Sequence, residues 1–165
     1  VRRAWAGRLG RAALLAFSAC VSLIWAAPLG AEPRLVVESR QGLVIGLLRF
    51  EAGQEICLSW SHSVTGGPVS DCFENRDGIL MLTRTYLHDF AAGLGEVPGR
   101  GTLRSAEGGG YWIDGIDEAI PGNALPLRVG APRVGHVLTG SGQRLNLSAL
   151  AAGARVNLRL MPRTP

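Results

Sequence analysis

The residues best equipped for chemistry lie in one stretch, Ile56 to Phe73, reading I-C-L-S-W-S-H-S-V-T-G-G-P-V-S-D-C-F. It holds an adjacent His62-Ser63 pair, the acid Asp71, the indole of Trp60 and two cysteines, Cys57 and Cys72. A histidine, a hydroxyl and a carboxylate are the parts of a nucleophilic triad, so geometry decides whether they can act together. Neighbours in a strand point to opposite faces, so His62 cannot activate Ser63 if the strand is regular. No Gly-x-Ser-x-Gly elbow occurs, and Gly140-Ser141-Gly142 reads as a hairpin turn. In a hairpin with a three-residue loop, Ser70 faces His62. With a four-residue loop Asp71 faces it instead, a charge-assisted pair that favours the protonated imidazole. Such a pair orients a histidine for binding or structure as readily as for proton transfer. A hydrolase using His62 is the less favoured reading, and no enzyme activity is expected.

Metal binding needs three or four converging ligands. His62, His88 and His136, supplemented by Asp71 and Asp89, show no short ligand spacing such as His-x-His, so neither a metal nor another cofactor is expected. The cysteines lie on the two arms of the same hairpin, and register governs whether they meet. A three-residue loop at Thr65-Gly66-Gly67 sends them to opposite faces. A two-residue loop puts them on one face at a diagonal, within possible bonding reach. Both outcomes, a disulfide or two separate thiols, stay open at this level.

The elements that must position these residues are short and extended. Leu35 to Glu38 and Leu43 to Phe50 flank an Arg40-Gln41-Gly42 turn as a first hairpin. Ile56 to Val64 and Val69 to Glu74 form the arms of the second, and Arg76-Asp77-Gly78 turns the chain into the aliphatic run Ile79 to Leu87. His88 to Gly110 reads as a long loop with one short strand near Leu103, followed by a short aromatic strand, Tyr111 to Asp114. Gly115 to Asn123 reads as a connector, and Ser148 to Ala154 as one helical turn. Leu125 to Val129, Val134 to Leu138, Arg144 to Leu147 and Arg155 to Met161 supply four more strands. Glycine punctuation and alternating faces imply an all-β fold, an antiparallel β-sandwich or small barrel of roughly 8–10 short strands. Trp60 and Trp112 are expected to pack into its core.

The first eleven positions carry four arginines and no acid, and an apolar run from Ala12 to about Leu29 follows, ending in the small residues Gly30 and Ala31. This is the layout of a secretory signal peptide, giving residues 1–31 as the address and 32–165 as a single exported, periplasmic β domain. An uncleaved membrane anchor is the alternative. The net charge of +4 is misleading, because outside those four arginines 13 basic residues face 13 acids. A neutral body excludes a phosphate-backbone groove, so no nucleic acid partner is expected, and no membrane contact beyond the N-terminal segment. One asymmetry remains. No acid follows Glu118, whereas Arg128, Arg133, Arg144, Arg155, Arg159 and Arg163 do. The simplest expectation is pairing of acidic and basic strands; the functional one is a basic surface for a carboxylate or an acidic partner.

The run Trp60 to Val64, the acid Asp71, the Ala91 to Leu94 turn containing Gly93, Trp112, Arg128 to Gly130 and His136 to Leu138 come in an order that resembles the domain of unknown function family 1850. The family comprises small exported bacterial proteins often encoded beside tripartite ATP-independent periplasmic (TRAP) transporters of the TAXI subgroup. The resemblance covers most of the chain after Leu35, with Asp71 where glutamate is usual and Ala91 and Gly95 replacing the first and last residues of the turn. It implies an accessory domain contacting a TRAP transporter component or its solute receptor through the hairpin and the following loop. The alternative is a domain binding a small carboxylate, with Arg128 as clamp and His62 and Ser63 nearby. Trp60, His62, Ser63, Asp71, Gly93, Arg128 and His136 are the candidate binding residues under either reading.

Overall fold

A computed structural model describes residues 31–89 and 99–162, and these form a two-sheet antiparallel β-sandwich. The signal segment, apart from Ala31, and the Ala91 to Leu94 turn with Gly93 lie outside the described residues. Eleven strands are described: β1 (Arg34–Ser39), β2 (Val44–Arg49), β3 (Glu55–Ser61), β4 (Pro68–Arg76), β5 (Ile79–Leu87), β6 (Thr102–Ser105), β7 (Tyr111–Ala119), β8 (Ala124–Arg128), β9 (Val137–Gly140), β10 (Gln143–Asn146) and β11 (Arg155–Met161). One helical turn, α1 (Leu147–Ala151), starts where the Asn146 side chain accepts the Ala149 N–H, as an N-cap should. The smaller sheet has the order β2-β1-β11-β8, and the larger β10-β9-β3-β4-β5-β7-β6.

Alternation sorts each strand. Leu35 and Val37 of β1, Leu48 of β2 and Val156, Leu158 and Leu160 of β11 face inward from the small sheet. Ile56 and Leu58 of β3, Phe73 of β4, Leu80 and Leu82 of β5 and Leu138 of β9 meet them from the large one. A satellite cluster of Val69, Leu87 and Ile113 extends the large sheet's inner face toward β7, with Trp60, Leu103 and Ile116 packed against it. Expected and observed strands coincide for β5 and β11. β7 runs on to Ala119, past the expected end at Asp114, because a bulge around Gly115 (φ 67°) and Asp117 (φ 48°) keeps it paired with β5.

The sheets are joined along one side without backbone pairing. The Arg49 N–H donates to Gln143 Oε1 at 2.8 Å, and Gln143 Nε2 donates back to the Arg49 carbonyl at 3.1 Å, so one side-chain amide stands in for a strand residue between β2 and β10. Gly46 permits this approach: a Cβ there would lie 2.7 Å from Leu145 Cδ2.

Candidate functional site

β3 and β4 pair with Cys57 opposite Cys72, Ser59 opposite Ser70 and Ser61 opposite Pro68. None of the short-loop registers is formed. β3 ends at Ser61 and six residues, His62 to Gly67, make the loop. This register brings the cysteines face to face, and they form a disulfide across the hairpin. Glu55, Cys57 and Cys72 are the trio of possible metal ligands among the described residues, and both sulfurs are spent in that bond.

His62 leaves the strand and becomes the brace of its own loop. Its backbone N–H donates to the Gly67 carbonyl at 2.8 Å and its carbonyl accepts the Gly66 N–H at 2.9 Å. Its ring Nδ1 accepts the Thr65 N–H at 3.3 Å, with Thr65 Oγ1 at the same distance. Thr65 Oγ1 in turn accepts the Gly67 N–H. Ser63 and Val64 ride on top, and Val64 is 86% exposed.

Asp71 takes the opposite orientation. It pairs with Leu58 on one side and Thr85 on the other, on the inner face of the large sheet. Thr85 Oγ1 donates to Asp71 Oδ1 at 2.8 Å. Burial holds the carboxyl above its ordinary pKa, and the Thr85 hydrogen bond and the charge of Arg100 offset this only in part. No hydrogen bond or ion pair among the described residues joins His62 to Asp71, so the histidine–acid pairing is not formed.

His136 anchors a separate knot. Its ring stacks on Trp60, with centroids 5.7 Å apart and planes 17° apart. Nδ1 accepts the Gly130 N–H at 3.0 Å, which places the ring proton on Nε2. The His136 N–H donates to Ser148 Oγ at 2.9 Å, and that hydroxyl donates to the Gly130 carbonyl at 3.2 Å. The ring is buried and desolvation lowers its pKa, so it is held neutral. Ser61 N–H donates to the Val134 carbonyl, tying this 129–136 loop to the end of β3.

Arg128 lies elsewhere, on the edge strand of the small sheet. It is directly opposite Arg155 of β11, and both line a groove of about 230 Å³ with Arg40 from the β1–β2 turn, Pro126 and Asn157. The expected pairing of late arginines with acids is largely absent. Arg159 pairs with Glu38 at 2.7 Å, but Arg128, Arg133, Arg144 and Arg155 enter no ion pair among the described residues. Around β4 to β7 the arginines are engaged: Arg76 with Glu74 and Asp117, Arg84 with Glu55, Arg100 with Glu118 and Arg104 with Asp114. Trp112 is not a core residue. It sits on the outer face of the large sheet, with the Arg84 guanidinium 4.5 Å from its ring centroid and Tyr86 tilted against it.

The structure thus brings Trp60 and His136 together, and binds Cys57 to Cys72. It places His62 and Ser63 on an exposed loop, Asp71 inside the sandwich and Arg128 in a groove whose lining does not include His62 or Ser63. The partnership of Arg128 with Arg40 was missed in the sequence; the acid-free tail after Glu118 was the available signal, but it says nothing about which arginines converge. The model of a family described as a domain of unknown function, DUF1850, matches residues 56–147. No curated protein and no solved structure matches the chain.

Proposed function

Because the chain belongs to the DUF1850 family, whose function is unknown, we propose a role based on its geometry: an exported accessory domain that works by binding, not catalysis, in a TRAP-type uptake system. Contact is made through the His62-braced loop. The observation that carries this reading is Val64, 86% exposed at the tip of a loop closed by hydrogen bonds to His62. A large apolar side chain on a pre-ordered loop is an anchor that loses little conformational freedom on docking. Ser63 beside it offers a hydroxyl for a polar rim. Catalysis is disfavoured because the His62 ring serves its own loop, Asp71 faces the interior and His136 is a neutral, buried acceptor. The transporter link rests on the genomic company the family keeps.

Co-purification of the tagged full chain with TRAP components tests the proposal. Val64→Asp is expected to abolish capture with unchanged melting temperature and near-UV spectrum, because the side chain is out in solvent. His62→Ala is expected to weaken capture only in part, by loosening the loop. Undiminished capture by Val64→Asp defeats the reading, as does an esterase or amidase turnover that disappears in a folded His62→Ala variant.

A further inference from the structure

The arginine groove on the small sheet goes beyond this reading, because it belongs to a different surface and needs no protein partner. We infer that Arg40, Arg128 and Arg155 form a binding site for a small organic dicarboxylate. Arg128 and Arg155 face each other across β8 and β11, and like charges at directly opposed positions repel. Arg40 reaches the same groove from the β1–β2 turn, yet no acid among the described residues neutralises any of the three. Arg76, Arg84 and Arg104 on the large sheet, and Arg100 just before β6, by contrast, each have a carboxylate partner within 3.0 Å. The fold therefore holds a cationic cluster without its counter-charge, and an anion seated there removes the repulsion while gaining charge-assisted, fork-shaped hydrogen bonds.

The shape of the groove selects the ligand class. Guanidinium forks match the planar, two-oxygen edge of a carboxylate, and the Arg128–Arg155 pair supplies two of them for one carboxylate. Arg40 comes from another turn of the chain and is free to take a second carboxylate. Pro126 contributes apolar surface to the groove and Asn157 an amide, the lining expected for a short carbon chain. A space of about 230 Å³ suits a small organic acid and not a polymer.

Calorimetric titration of the full chain with succinate, acetate and inorganic phosphate tests the assignment. Succinate is expected to bind saturably and to raise the melting temperature, and acetate to bind more weakly by about tenfold or more, having no second carboxylate for Arg40. Arg128→Ala and Arg155→Ala are each expected to weaken succinate by about tenfold or more, and Arg40→Ala to erase the preference for succinate over acetate. Arg144→Ala, which removes an unpaired arginine outside the groove, is expected to leave succinate binding unchanged. Loss of fold cannot mimic this result, since Arg128→Ala removes a repulsion and the ligand-free variant should melt no lower than the parent. The assignment is overturned if succinate shows no saturable binding, if phosphate binds more tightly than succinate, or if Arg144→Ala weakens succinate as much as Arg128→Ala does.

Discussion

Replacing His136 separates its two structural duties and exposes its charge state. Alanine at this position leaves the Gly130 N–H without its acceptor, a loss of about 1–3 kcal/mol, and removes a ring stacked on Trp60, about 0.5–1.5 kcal/mol more. Asparagine keeps a side-chain acceptor at the Nδ1 position and loses the stacking. His136→Ala should therefore lose about 1.5–4.5 kcal/mol, and His136→Asn distinctly less. Protonation adds a second readout. Desolvation lowers the folded pKa of His136 from 6.5, so below that pH the unfolded chain takes up a proton that the folded one refuses. The residue's contribution to stability is complete above pH 6.5 and is lost as pH falls toward the folded pKa, at no more than about 1.4 kcal/mol per pH unit. Urea unfolding followed by tryptophan fluorescence, from about pH 8 to about pH 5, reads both effects. The advantage of the parent over His136→Asn must shrink as pH falls. An advantage that stays constant or grows would mean that the folded protein protonates His136, and the neutral-acceptor reasoning would be wrong.

Three further outcomes follow from the same geometry. Burial raises the folded pKa of Asp71, so its proton is held more tightly in the native state and its charge costs stability as pH rises through that folded value; Asp71→Asn should stabilise the protein at neutral pH by on the order of 1 kcal/mol, a gain that fades toward pH 3.8, as a denaturation series will read. Breaking the Cys57–Cys72 bond opens a loop of 15 residues, and the double alanine variant should lose about 3 kcal/mol against the oxidised parent in the same urea assay. Gly140→Ala drives a methyl into the Glu55 carbonyl and to 2.9 Å from Ile56 Cα, both backbone, so thermal unfolding should show a loss of about 1–3 kcal/mol.

The sheet architecture was legible because β11 alternates Val156, Leu158 and Leu160 with Arg155, Asn157 and Arg159, and β5 is a long run of aliphatic and β-branched residues. The hairpin of the signature residues was harder. Val64 and Thr65 have strand propensity, yet the His62 ring captures the Thr65 N–H and the strand ends three residues earlier, at Ser61. That shift moved every cross-strand partner, which is why Asp71 meets Leu58 instead of His62 and why the cysteines meet at all. Trp112 was misplaced because an indole on the outer face is indistinguishable from a core one until Arg84 is seen to cover it. The arginine groove needed strand order. Arg40, Arg128 and Arg155 are far apart along the chain and converge only because β11 is inserted between β1 and β8. Charge asymmetry in a sequence shows that a basic surface will exist, and topology decides where.

The Gln143 amide has a bearing on how copies of this protein coexist. Open sandwiches expose the rims of both sheets, and each rim solicits strands from neighbouring molecules. Here the β2 and β10 rims occupy one another, with Gln143 satisfying the Arg49 peptide groups that would otherwise recruit a foreign chain. Losing one surface amide would then cost little in folding energy and much in solubility, because it would unmask a seed for self-association beside the exposed side chains of Val44 and Leu47.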